Sequence, residues 1–229
     1  MPLRLLLFDF DGLICDTERA ACRSWDETYR RLLGHGLPGA VWAAMAGNSG
    51  GAVVAEADLA TRLGRPLDDG ERAARLRRKQ ELAESEPARP GVVALLDAAR
   101  SAGLGLGVVS SSRLRWVGAH LTRLGLRHRF DHLVTGDATP RHKPAPDLYR
   151  LALRGAGVPP GEALAFEDSE SGVRAATAAG VRCVAVRNAV GERADLSAAS
   201  EVRTSLVGFD LATVPARQSM TATSRNGNP

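Results

Sequence analysis

Lysine is nearly missing from this chain: of 30 Lys and Arg residues only Lys79 and Lys143 are lysine. Arginine presents a planar fork and lysine a compact ammonium, so a retained lysine reads as a position that wants a point charge, with chance as the alternative for Lys79. Cysteine is scarce as well. Cys15, Cys22 and Cys183 are odd in number and show no CxxC spacing. That pattern excludes a disulfide framework or a thiolate zinc site and predicts free thiols in a reducing cytoplasm. Aromatics are only 4% and the +4 net charge is interleaved rather than blocked, which argues against a nucleic-acid-binding stripe with stacking rings. No run approaches the ~20 apolar residues of a membrane span. The apolar start is short and is followed at once by acids, so neither a secretory segment nor a membrane partner is expected.

What remains is the composition of an ordinary globular chain, 44% apolar and 24% charged. Its 229 residues suffice for one large domain or a core with a smaller insert. Five short, near-continuous apolar runs, at 3–8, 104–109, 132–135, 163–166 and 182–186, read as strands covered on both faces. Helical patterns lie just before the second run, at 92–102, and between the last four, at 114–124, 146–154 and 172–179, most of them stopped by glycine. This alternation predicts an α/β, doubly wound parallel sheet with right-handed crossovers. From about 16 to 87 no strand is legible. Four helical pieces (19–33, 41–46, 52–63 and 69–84) predict a small all-helical domain inserted after the first strand. The expected division is therefore a core of 1–15 and 88–214, an insert of 16–87, and a disordered tail of 215–229.

In open parallel sheets ligands bind beyond the carboxyl ends of the strands. The first strand ends in Asp9-Phe10-Asp11-Gly12 and the second in Ser110-Ser111-Ser112. The third leads to Lys143-Pro144-Ala145-Pro146-Asp147, and the fourth ends in Glu167-Asp168-Ser169. Close carboxylates repel and desolvate badly, so a divalent cation is the first candidate to offset them. Acids for Mg2+, hydroxyl and backbone donors for phosphate oxygens and one ammonium are the parts of a phosphoryl-transfer site.

These four motifs, in order and each at a predicted strand end, resemble the haloacid dehalogenase-like hydrolases. The branch is the one that includes β-phosphoglucomutase and phosphoglycolate-type phosphatases, and the insert would be its helical cap. The resemblance implies that Asp9 is a nucleophile and metal ligand, forming an aspartyl-phosphate. It implies that Asp11 is the acid/base and a main-chain metal ligand, with Asp168 and Glu167 completing an Mg2+ site. Ser110, the N–H groups of Ser111 and Gly12, and Lys143 would hold the phosphoryl group.

Asp11 favours ester chemistry over dehalogenation, because a halide leaves without a proton. The mutases' cap arginine and histidine are replaced here by Gly50 and Ala21, which favours hydrolysis. The expectation is a cytoplasmic, Mg2+-dependent phosphatase, monomer or homodimer, of a small phosphorylated metabolite such as a sugar phosphate or phosphoglycolate. Two alternatives are a sugar phosphomutase and a non-catalytic phosphate-binding relative.

Substrate selection would lie in Gly47, Asn48 and Ser49 and in Arg75 and Lys79. Arg72, Arg75 and Lys79 share a helix face, which reads either as a grip for a second anion or as a solvated face partnered by Glu71 and Glu81. Asp16 and Glu18 read as hinge and first-turn acids, Ser112 and Asp147 as helix caps. The histidines show no metal-ligand spacing, and Trp25, Trp42 and Trp116 read as packing residues.

Overall fold

The computed structural model describes residues 2–45, 51–190 and 194–214. A first strand, β1 (Leu5–Phe8), is followed by four helices: α1 (Thr17–Leu33), α2 (Gly39–Met45), α3 (Gly51–Leu63) and α4 (Asp69–Ser85). Then helices and strands alternate through α5 (Val92–Ser101), β2 (Gly105–Val109), α6 (Leu114–Arg123), β3 (His132–Val134), α7 (Asp147–Ala156), β4 (Ala163–Glu167), α8 (Glu170–Ala178) and β5 (Arg182–Val186), ending in β6 (Glu201–Arg203).

All strand pairs are parallel, and the order is β3-β2-β1-β4-β5-β6. The α/β doubly wound expectation holds, helical insert included. β1 is flanked by β2 and β4, so the connections diverge around it and leave a crevice past its carboxyl end.

The unbroken apolar run of β1 is explained by burial on both faces. Leu6 and Phe8 enter one core layer with Leu96, Leu106, Val117 and Phe166, while Leu5 and Leu7 enter the other with Tyr149, Leu153, Val173 and Ala176. Phe8 stacks on Phe166 with centroids 4.9 Å apart. Truncating a wholly buried leucine such as Leu7 would cost about 2–5 kcal/mol. The sheet thereby holds the end of β1 rigidly, and Asp9 N–H still donates into the ladder, to Phe166 C=O at 2.9 Å.

The insert has a core of its own, built around Trp25, Tyr29, Val41, Met45, Leu59 and Leu67. Asp16 caps α1 by accepting from Arg19 N–H, and Asp68 with Glu71 forms a full capping box on α4. Where the chain leaves and re-enters the sheet domain, Cys15 and Ala88 form an antiparallel bridge and Arg89 N–H donates to Ile14 C=O at 2.8 Å. Arg123 reaches across to Glu86 C=O at 2.8 Å.

Four readings change. β6 was not anticipated, because it is a three-residue edge strand of exposed or half-buried residues with no apolar run. Ser112 does not cap α6: that position is Arg113, without a side-chain cap, and Asp137 accepts from Leu114 N–H at 2.6 Å instead. Asp147 is not a cap either; it lies inside α7 and pairs with Arg141 at 2.6 Å. Glu71 and Glu81 do not partner the Arg72–Arg75–Lys79 face, since Glu71 pairs with Arg65 and Glu81 with Arg78. The three cysteines are free and buried.

Candidate active site

Past the carboxyl ends of the central strands opens a cavity of about 470 Å³. Its sheet-side wall carries Asp9, Asp11, Ser110, Ser111, Lys143 and Asp168, and its helical wall carries Glu18, Arg75 and Lys79. Gly47, Asn48 and Ser49, and the 215–229 tail, lie outside the described residues.

Lys143 is the hub. Its ammonium donates to Asp9 Oδ1 at 2.5 Å, Glu167 Oε1 at 2.6 Å and Val109 C=O at 2.8 Å, which uses all three N–H bonds. Burial would lower its pKa, but Asp9 and Glu167 outweigh that and hold it above the usual lysine range, so the charge stays. Asp9 and Asp168 are both pushed well up, first by burial and then by neighbouring carboxylates; Lys143 only partly offsets this.

Ligand oxygens of Asp9, Glu167 and Asp168 all lie within 4.8 Å of one another. Three buried carboxylates against one ammonium leave a deficit of two positive charges. Glu167 Oε2 is buried with no hydrogen-bond partner among the described residues, while its Oε1 also accepts from Tyr149 O–H at 2.5 Å. An all-oxygen donor set, a deficit of two charges and an unpartnered oxygen fit a hard divalent cation.

Two glycines make this packing possible. Gly12, at φ +83°, would place a Cβ 2.0 Å from Asp168 Oδ2, and one at Gly172 would fall 1.8 Å from Glu167 Oε2. Gly12 N–H, expected to face phosphate, instead donates to Cys15 C=O at 2.7 Å and closes the loop. The Ser111 N–H has no acceptor among the described residues, and Ser111 lines the cavity.

Asp11 is densely held. Its carboxylate accepts from Ser112 Oγ at 2.5 Å, Thr17 Oγ1 at 2.6 Å and Trp116 Nε1 at 2.8 Å, with Ser110 Oγ at 3.4 Å. Sequence reasoning missed Ser112, Thr17 and Trp116 in this role. It also missed Tyr149 and Asn188, the latter donating to Asp168 Oδ2 at 2.5 Å. Asn188 follows β5, so the strand-end test applied to a fifth strand would have found it.

A family model for haloacid dehalogenase-like hydrolase matches residues 3–180. The chain belongs to that family. YhcW of Bacillus subtilis (strain 168) is 43% identical over 192 residues, covering 82% of this chain and 85% of that protein. Fructose-1-phosphate phosphatase YqaB of Escherichia coli (strain K12) is 36% identical over 191 residues, covering 80% and 95%. The crystal structure of CbbY from Rhodobacter sphaeroides in complex with phosphate superposes with a TM-score of 0.70 at 29% identity, over 92% of this chain and 98% of that one. Within the haloacid dehalogenase-like hydrolases this chain is a phosphoric monoester hydrolase.

Proposed function

We propose that the chain is a Mg2+-dependent phosphatase that hydrolyses a small phosphorylated metabolite through an aspartyl-phosphate on Asp9. The observation that supports this reading most is the convergence of Asp9, Lys143, Glu167 and Asp168 beside the cavity. Here a carboxylate at the end of a rigid strand is held by an ammonium, next to acids that fit a divalent cation.

A carboxylate approaching a phosphate dianion is repelled, and bound Mg2+, held by Asp9, Asp168, Glu167 and the Asp11 carbonyl, would supply the charge that lowers this barrier. Lys143 fixes the Asp9 rotamer and neutralises part of its charge, so the other carboxylate oxygen can attack in line. Ser110 Oγ and the Ser111 N–H donate to the transferring group. The P–O bond to the substrate alcohol breaks, and Asp11 gives that oxygen its proton. Asp11 then takes a proton from the water that attacks the phosphorus and frees Asp9. The donors now on Asp11 include Thr17, the first residue of the first insert helix. Residues 16–87 would form the cap that excludes bulk water while the ester forms and breaks.

The test is phosphate release from p-nitrophenyl phosphate with Mg2+ and after chelation. Release that needs Mg2+ and falls at least a thousandfold in Asp9→Asn is expected. Release retained by Asp9→Asn refutes the nucleophile. With glucose 1-phosphate as substrate, accumulation of glucose 6-phosphate rather than free glucose would replace hydrolysis by mutase chemistry.

A further inference from the structure

To protonate a leaving alcohol, Asp11 must first hold a hydrogen, and its two oxygens differ in what surrounds them. Oδ1 accepts from Thr17 Oγ1 at 2.6 Å and from Trp116 Nε1 at 2.8 Å. Oδ2 accepts from Ser112 Oγ at 2.5 Å and lies 3.4 Å from Ser110 Oγ. Ser110 and Ser112 line the cavity, whereas Thr17 and Trp116 do not. Oδ2 is therefore the oxygen on the side of the reacting groups, and Oδ1 is turned into the protein.

The donors are not equivalent. A hydroxyl can turn and accept, but an indole N–H only donates. In a carboxylic acid the carbonyl oxygen is the good acceptor and the hydroxyl oxygen is the donor. A fixed, donor-only N–H on Oδ1 keeps Oδ1 as the carbonyl and sends the hydrogen to Oδ2, where the serine hydroxyls can turn to receive it. The indole is held from several sides. Its ring stands edge-on to His120 with centroids 4.3 Å apart, carries the Lys79 ammonium 4.6 Å over its face, and packs on Ala20, Leu82 and Ala83. The start of α6 thus brings a rigid donor to Oδ1, while the loop just before it brings a rotatable one to Oδ2.

We propose, on the phosphatase reading of the same cavity, that Trp116 is a positioning residue that places the hydrogen of Asp11 on Oδ2, toward the leaving oxygen. As the bond from Asp9 to phosphorus forms and the P–O bond to the alcohol breaks, that hydrogen passes from Oδ2 to the departing oxygen. The alcohol leaves neutral, and Asp11 is left a carboxylate with the Trp116 N–H and the Thr17 and Ser112 hydroxyls donating to it. Trp116, legible in the sequence only as a packing residue, acts on the leaving group without touching it.

Trp116→Phe keeps a ring beside Lys79 and His120 and removes the N–H. Nitrophenolate departs without a proton, whereas an alkoxide needs one. The experiment measures kcat/KM, which covers the steps up to departure of the alcohol, for p-nitrophenyl phosphate and for benzyl phosphate, glycerol 3-phosphate and glucose 6-phosphate. Trp116→Phe should lower the three alkyl values by about tenfold or more, the worth of one hydrogen bond to a charged group, and the p-nitrophenyl value by less than about threefold. The benzothiophene analogue of tryptophan, incorporated at Trp116, exchanges N–H for sulfur within the same bicycle and should give the same split. Where the two variants disagree the benzothiophene protein decides, since only its N–H is lost. Equal losses on every substrate, or no loss on the alkyl esters, overturn the inference. So does a wild type that releases phosphate from p-nitrophenyl phosphate alone. Absence of Mg2+-dependent release from all four substrates sinks the phosphatase reading instead.

Discussion

Replacing Tyr149 by Phe removes a single oxygen from the densest part of the site. The phenol is wholly buried, and its O–H donates to Glu167 Oε1 at 2.5 Å. Burial, reinforced by Glu167, holds its pKa well above the usual tyrosine range, so the phenol remains a donor. Phe fills nearly the same volume, so no large cavity opens.

The cost is that of a hydrogen bond to a charged acceptor, about 1.5–3 kcal/mol. Lys143 still holds the same oxygen at 2.6 Å, which places the loss near the lower end, at about 2 kcal/mol. For a chain of this size that lowers Tm by about 4–8 °C.

A second effect separates positioning from packing. Tyr149 and Lys143 together hold Oε1 and leave Oε2 for a cation. Loss of such an outer partner weakens metal binding about 10–100-fold. Mg2+ at a hundred times the wild-type Kd stabilises by about 2.7 kcal/mol, and a tenfold weaker site reduces this to about 1.4 kcal/mol. Thermal unfolding of both proteins with and without Mg2+, backed by calorimetric titration, measures both quantities. Unchanged Tm and Mg2+ affinity in Tyr149→Phe would refute the reasoning. A Tm loss of equal size with and without Mg2+ would refute the positioning role alone.

Two further outcomes follow from the same geometry. Gly172→Ala drives a methyl against Glu167 Oε2, 1.8 Å from the built Cβ; Mg2+ affinity should fall at least tenfold, and binding at wild-type strength would show that Glu167 is not needed. Glu18 is pushed up to about 7 by burial, then by Asp11 and Asp16, with Lys79 opposing. The folded state therefore binds the proton more tightly than the unfolded state, at about 4.5, and the contribution is full below that value and lost as pH rises through about 7. Glu18→Gln should remove this dependence and be more stable than wild type by about 2–3 kcal/mol at pH 8. Parallel stability–pH curves for the two proteins would contradict it.

The fold was legible where a run is buried on both faces, because such strands tolerate no alternation. Leu5-Leu6-Leu7-Phe8 reads as a strand covered on both faces, and β1 enters both core layers. β6 escaped because an edge strand with exposed side chains has no such constraint. At the site, side chains at strand ends were readable from spacing: Asp9, Ser110 and Asp168 all reach one cavity. Residues that act by supporting others were not readable. Tyr149 looks like one more apolar position of α7, and Trp116 like a packing residue of α6. Only the fold brings the first under Glu167 and the second onto Asp11. Ser112 was misread because a serine before a helix is a common cap, and Asp11, distant in sequence, offered its hydroxyl a charged acceptor.

The bridge between Cys15 and Ala88 bears on how this chain could be rebuilt. Departure and return share one doorway, so the sheet sees the whole helical insert as a loop whose ends already touch. Loop closure grows costly only slowly with length, and a short turn joining the two bridged residues would satisfy the same ladder. The helical wall of the cavity is in that sense a cartridge. It could be lengthened or exchanged without shifting the register of β1, and Asp9 would stay where its strand holds it, whereas Asp11 needs the Thr17 hydroxyl at the insert's first turn.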